Sequence, residues 1–244
     1  MSALGAVFER ELQGYFATPL AYVFIIVFLF ATGIFTFYVG GFFDAGRAEL
    51  DAFFLFHPWL YLFLIPAIAM RLWAEERKSG TLEVLLTLPI PIWATVMGKF
   101  LAAWAFAGIA LFLTFPIWIT VNLLGAPDNG IILASYVGSF FMAGAYLAIG
   151  AAISATTQNQ VVAFVVSVVI CFLFMVSGLT LVLDFFKLWA PQFLVETVAS
   201  FSFLNHFEAI RKGVIDLRDV VFFAAIISFW LYVNLVLVTS RRAG

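Results

Sequence analysis

Apolar residues in this 244-residue chain gather into runs too long for a water-soluble core. Six stretches, at 20–43, 52–70, 95–124, 131–153, 161–183 and 220–239, approach or exceed the ~20 apolar residues that cross the hydrocarbon of a bilayer. Ahead of them, residues 2–17 show a different pattern. Leu4, Val7, Phe8, Leu12, Tyr15 and Phe16 recur at helical spacing on one face, and Glu9, Arg10 and Gln13 take the other. This predicts an amphipathic helix lying in the membrane interface, with Pro19 marking the bend into the first crossing. Residues 184–219 are too apolar for a solvated loop and too interrupted for a seventh span. Short helices re-entering the outer leaflet would satisfy their backbone. The expected fold is therefore one all-α integral membrane domain over 1–244, with six transmembrane helices.

Composition agrees with that pattern. Mean hydropathy is +1.12, and 31 Phe and 7 Trp leave more apolar surface than water tolerates. A net charge of −2 gives no reason to expect a nucleic-acid partner. Cys171 is the single cysteine, which excludes an intramolecular disulfide. The first apolar run exceeds a signal-peptide core of about 7–15 residues and is read as a retained helix.

Lysine and arginine set the orientation. With both termini inside, Arg10, Arg71, Arg77, Lys78, Lys99, Arg241 and Arg242 face the cytoplasm. Arg47, Lys187, Arg211, Lys212 and Arg218 face outward, diluted by Asp44, Glu49, Asp51, Asp184, Glu196, Glu208, Asp216 and Asp219. The expected location is the bacterial inner membrane, multi-pass, with both termini cytoplasmic. Lys99 is expected to snorkel from the start of the long third crossing into the headgroups.

Catalytic chemistry is not visible. Gly98-Lys99-Phe100 lacks the glycine spacing and the Ser or Thr of a phosphate-cradling loop, and no hydrolase or zinc-protease motif occurs. His57 and His206 stand alone in sequence near predicted membrane edges and read as interfacial polar residues. Crossings without buried charge argue against an ion-coupled carrier. Thr114, Ser167 and Asn234 are expected to hydrogen-bond between helices. Ser135, Ser139 and Ala143, with Gly144, Ala148 and Ala152, predict a close-packing face on the fourth crossing.

One loop breaks the apolar pattern. In RLWAEERKSGTLEVLLTLPIP, residues 71–91, Arg71, Glu75, Glu76, Arg77, Lys78 and Glu83 crowd together. Gly80 breaks a charged helix. Gly80 or Thr81, with Glu83 downstream, then caps a second short helix that Pro89 and Pro91 end. Leu82, Leu85 and Leu86 share a face of that helix and predict an exposed apolar ridge. On the cytoplasmic side, such a ridge calls for a protein groove.

EERKSGTLEVLLTLPIPIWATVMGKF, with Glu-Glu-Arg, Gly-Thr-Leu-Glu, Leu-Leu, Pro and Gly-Lys in order, resembles the cytoplasmic loop of ABC-2-type transporter permeases. ELQGYFATPLAYVF resembles that family's interfacial helix, SATTQNQVVAF its turn between crossings four and five, and FSFLNHFEAIRKGVIDLRDVVFF the run into its last crossing. The last stretch is similar to the gliding-motility-associated (Gld-type) branch, and permeases of nitrous-oxide-reductase copper-site maturation are similar as well.

The resemblance implies a coupling helix within 71–91 that docks into a partner ABC ATPase. Its docking residues would be Glu75, Glu76, Arg77, Gly80, Thr81, Leu82, Glu83, Leu85 and Leu86. Gln158, Asn159 and Gln160 would form a second cytoplasmic turn. It implies no catalysis and no cofactor in this chain, with ATP and Mg bound by an ATPase pair. It also implies a homodimer or a heterodimer with a related permease, and leaves room for a membrane-anchored periplasmic accessory protein. Two functions stay open. One is export of an amphipathic or polymeric substrate, and the other is transmission of ATPase-driven force or regulation to a periplasmic partner without transport.

Overall fold

A computed structural model describes residues 2–44, 46–87, 89–213 and 216–242, without the side chains of Val84, Leu85, Leu86, Arg241 and Arg242. Its regular structure is entirely helical among the described residues. In chain order these are α1 (Ala3–Phe16), α2 (Pro19–Ile34) running into a π-turn (Phe35–Val39), α3 (Asp51–Leu55), α4 (His57–Ala69) and α5 (Arg71–Ser79). Then follow α6 (Thr81–Thr87), α7 (Ile92–Phe112), α8 (Phe115–Leu124), α9 (Asn129–Ser154) and α10 (Gln160–Val176). The chain ends with α11 (Thr180–Lys187), α12 (Gln192–Ser200), α13 (Phe203–Arg211) and α14 (Leu217–Arg242).

The small-residue helix α9 is the centre of the bundle. Ser135, Ser139, Ala143, Ala148 and Ala152 are all buried, and α4, α7, α10, α13 and α14 pack around them. Small side chains let backbones approach closely. A Cβ added at Gly150 would lie 2.4 Å from the Ala69 Cβ, so α4 meets α9 with almost nothing between them. A Cβ at Gly144 would press on the Trp104 ring, which stacks on Phe140 with centroids 4.5 Å apart.

Helix α1 follows the sequence pattern, with Ser2 accepting from Gly5 N as its N-cap. Its apolar face packs on protein. Val7 lies over Gly98, where a Cβ would come within 2.7 Å of Val7 Cγ1, and Tyr15 stacks on Phe106 at 5.0 Å.

Among the described residues, four stretches are long and apolar enough to cross a membrane: Pro19–Val39, Ile92–Leu124, Asn129–Ser154 and Leu217–Ser240. A fifth arises if α10 and α11, bent by 77°, count as one. The expected crossing at 52–70 is instead divided between α3 and α4, and α4's 13 residues reach only about 20 Å at 1.5 Å per residue. Most of α4 is buried, including Leu60, Tyr61, Leu62, Ile65 and Ile68. A helix covered by protein need not match the lipid thickness, yet its hydropathy reads like that of a lipid-facing one.

From 184 to 213 the chain passes through the end of α11 and the short helices α12 and α13. Helix α13 buries Phe203, His206, Phe207 and Ile210, and Ser202 accepts from Asn205 N at its start.

Several polar expectations need correction. His57 is fully buried, contacting Phe53 O through Nδ1 at 2.9 Å within a ring of Phe28, Phe53, Phe54 and Tyr61. His206 is also buried and is not alone. Its Nδ1 lies 2.5 Å from Asp219 Oδ1, its Nε2 lies 3.0 Å from Ser200 O, and its ring stacks on Phe222. Asp219, 13 residues further along, is not a neighbour that helical spacing identifies. Thr114 does join two helices, through Tyr136 Oη at 3.0 Å. Ser167 donates to Ala163 O of its own helix, and the buried Asn234 Oδ1 has no partner among the described residues.

Candidate functional site

The charged loop folds into a helical corner. Gly80 closes α5 in the left-handed region at φ 73°, a conformation that favours glycine, and α6 begins at the next residue. Gly80 therefore occupies the cap position between the two helices, and Thr81 is the first residue of α6. Thr81 Oγ1 lies 2.9 Å from Ser79 Oγ, fastening the corner from its exposed side.

The corner and the end of α9 cap each other. The first amides of a helix lack partners within it. Met70, at the N-cap of α5, makes no side-chain cap bond. Ser154, the last residue of α9, fills that role from 80 residues away. Its Oγ accepts from Trp73 N and Ala74 N at 3.1 Å each and donates to Met70 O at 2.8 Å. In return, Arg77 Nη1 donates to Ala155 O at 2.9 Å, where α9 ends. A cation at a helix C-terminus also suits the helix dipole.

A buried ion cluster joins α1 to the same corner. Lys99 of α7 is 2% exposed and does not snorkel into headgroups. Its Nζ lies 3.0 Å from Glu11 Oε1 and 2.8 Å from Glu76 Oε1. It also lies 5.4 Å from the centre of the Trp73 ring, within cation–π range. Two carboxylates close by supply what the headgroups would have supplied. Burial alone would raise the Glu11 carboxyl. The Lys99 charge, hydrogen bonds from Arg10 and Lys99, and the Arg10 charge outweigh burial and hold it below its ordinary value. Beside the cluster, an open cleft of about 580 Å³ runs between α1 and α5, lined by Arg10, Tyr15, Arg71, Glu75 and Thr81 among others.

The sequence-predicted residues thus divide. Glu75, Gly80, Thr81 and Glu83 are exposed on the corner, whereas Glu76 and Arg77 turn inward as braces. Leu82 is 9% exposed and belongs to the core, so the expected ridge does not include it as an exposed position. The side chains of Leu85 and Leu86 lie outside the described residues. In the second turn, Asn159 caps α10 by accepting from Val161 N and Val162 N, and Gln158 is exposed beside it. Gln160 is the first residue of α10.

Sequence reasoning missed Ser154, Glu11 and the burial of Lys99. Glu11 carried a signal, since it is a carboxylate flanking the apolar stripe of an amphipathic helix. Among the described residues, no three His, Cys, Asp or Glu side chains gather into a group able to hold a metal ion.

Residues 20–241 match the family model described as ABC-2 family transporter protein. No curated protein matches the chain. The matched span takes in the α5–Gly80–α6 corner, the α9 terminus that caps it and the central small-residue helix, and by this match the chain belongs to the ABC-2 family of transporter proteins.

Proposed function

We propose that this ABC-2 permease subunit receives its partner ATPase on the α5–Gly80–α6 corner and the adjoining turn at residues 155–159. The observation that carries this reading is the reciprocal capping of α5 and α9, by Ser154 on the first amides of α5 and by Arg77 on the Ala155 carbonyl where α9 ends. A corner fastened to the central helix by its own helix ends hands a push directly to the bundle. The exposed Glu75, Thr81 and Glu83 would orient the ATPase, and Glu76 and Arg77 would carry the load inward. The apolar contact is assigned to Leu85 and Leu86, the two leucines of the sequence-predicted ridge that remain after Leu82.

In this reading the corner faces the cytoplasm, as the lysine and arginine distribution favours. The buried α4, with its flanking helices, supplies the sixth crossing. Two permease subunits pair around two ATPases, and ATP-driven closure moves the corner and its helices as rigid bodies. The cargo is amphipathic or polymeric, in keeping with crossings whose exposed surface is dominated by aromatic and apolar side chains.

Pull-down of the partner ATPase by folded, membrane-inserted permease tests the docking surface. Burying one leucine contributes about 1.5–3 kcal/mol, so Leu85→Ser with Leu86→Ser should weaken association at least tenfold. Wild-type affinity in that double variant would remove the corner as the docking element.

A further inference from the structure

At the opposite end of α9 from the docking corner, a cavity of about 540 Å³ opens between the loop 47–51, the turn 126–128, the first turns of α9 and the end of α13. This is within the size range of small-molecule sites, about 300–1,000 Å³. Leu50, Phe54 and Ile132 give it a buried apolar side, and Ile131 carries that surface out to an exposed mouth.

The charged lining is of both signs, and part of it is already committed. Asp128 spends its carboxylate on Gly130 N and Ile131 N at the start of α9. Arg211, with a side chain 12% exposed, gives Nη1 to Asp51 Oδ1 at 2.8 Å. Lys212 pairs with Glu208. Arg47 and Glu49 line the cavity and make no ion pair among the described residues. A simple anion would meet Glu49 and Asp51, and a simple cation would meet Arg47 and Arg211. A ligand carrying both charges at short separation satisfies each, and the apolar side calls for a hydrocarbon portion.

We infer that this cavity binds a zwitterionic phosphodiester amphiphile, with its phosphate against Arg47 and Arg211, its primary ammonium against Glu49 and its apolar part on Leu50, Phe54 and Ile132. Charge-assisted bonds from guanidinium to phosphate are the strong directional contacts of such a site. The chemistry is that of a phosphoethanolamine headgroup, whether borne by a membrane lipid or free in solution. The inference stands apart from ATPase docking, since it uses none of the corner's residues.

The test is native mass spectrometry of the full-length chain, titrated separately with phosphatidylethanolamine, phosphatidylglycerol and phosphatidylcholine. Phosphatidylethanolamine should be retained about tenfold more tightly than either of the others. Arg47→Ala and Glu49→Gln should each abolish most of that preference at an unchanged melting temperature, whereas Lys78→Ala at the corner should leave it intact. Competition by soluble glycerophosphoethanolamine would show that the headgroup suffices. Retention of the lipid without such competition would fix the source as the membrane. Equal retention of the three lipids, or a preference untouched in both cavity variants, overturns the proposal.

Discussion

The two ends of α9 are held by different means. At Ser154, side-chain bonds to backbone, Arg77 on a terminal carbonyl and a buried lysine between two carboxylates lock α9, α5, α7 and α1 into one unit. At Asn129, the polar contacts are an Asp128 cap and an exposed Asn122–Asn129–Trp118 cluster, Tyr136 packs on Phe54 and Trp118, and beside them the Arg211–Asp51 pair ties α13 to α3. Buried, directional contacts resist displacement, whereas exposed polar ones exchange readily with water. One end is thus fastened by buried polar bonds, and the other by apolar packing with its polar contacts open to water.

The largest blow to the rigid end is Lys99→Met. It leaves Glu11 and Glu76 near each other with Arg10 as their remaining cation, and breaking a buried pair costs up to about 3 kcal/mol where solvent and Arg10 compensate in part. Thermal or denaturant unfolding in detergent should show that loss, and adding Glu11→Gln and Glu76→Gln should recover part of it. No loss on Lys99→Met would mean that the cluster is solvated and that the contrast between the ends is false.

Ser154→Ala comes next. It strips the caps from Trp73 N and Ala74 N, and a stranded buried donor costs about 1–3 kcal/mol. Arg211→Ala at the other end should cost less than Ser154→Ala, because its partner Asp51 is largely exposed and water screens the pair. If the two substitutions destabilise equally, the ends do not differ.

Gly80→Ala forces a side chain into the left-handed region at about 1–2 kcal/mol. Hydrogen exchange at the amides of α6 should quicken, and that of α9 should not.

The smallest effect is a pH dependence. Against the burial that would raise it, the Lys99 and Arg10 charges hold the Glu11 carboxyl below its ordinary value when folded. Its contribution is therefore complete above the unfolded value and is lost as pH falls through the folded one. The melting-temperature gap between the wild type and Glu11→Gln should narrow on acidification from pH 7. A gap that stays constant down to pH 3 would assign Glu11 a neutral packing role.

Features set by local spacing were legible in the sequence. The face of α1, the small-residue stripe of α9 and the break at Gly80 all appear where the pattern puts them. The mutual capping was not, because Ser154 and Trp73 are 81 residues apart and neither looks unusual in its own window. Lys99 was misread for a related reason. A lysine near a membrane edge can be neutralised by headgroups or by carboxylates, and only the packing of α1 on α7 supplies Glu11. The length of α4 was hidden because hydropathy does not separate lipid contact from protein contact. Leu82 shows the converse, since a ridge drawn on an isolated helix has no means of knowing that part of the bundle covers it.

The near-contact of Gly150 with Ala69 has a mechanical consequence. With no side chain between α4 and α9 at that crossing, the joint there has little compliance, and α9 can act as a lever about it. Its 26 residues measure about 39 Å at 1.5 Å per residue. A tilt of about 5° at the corner end would sweep the other end through roughly 3 Å over that length. Asp128 caps that end and lines the cavity beside it, so a few degrees of rotation at one face would reshape the cavity at the other.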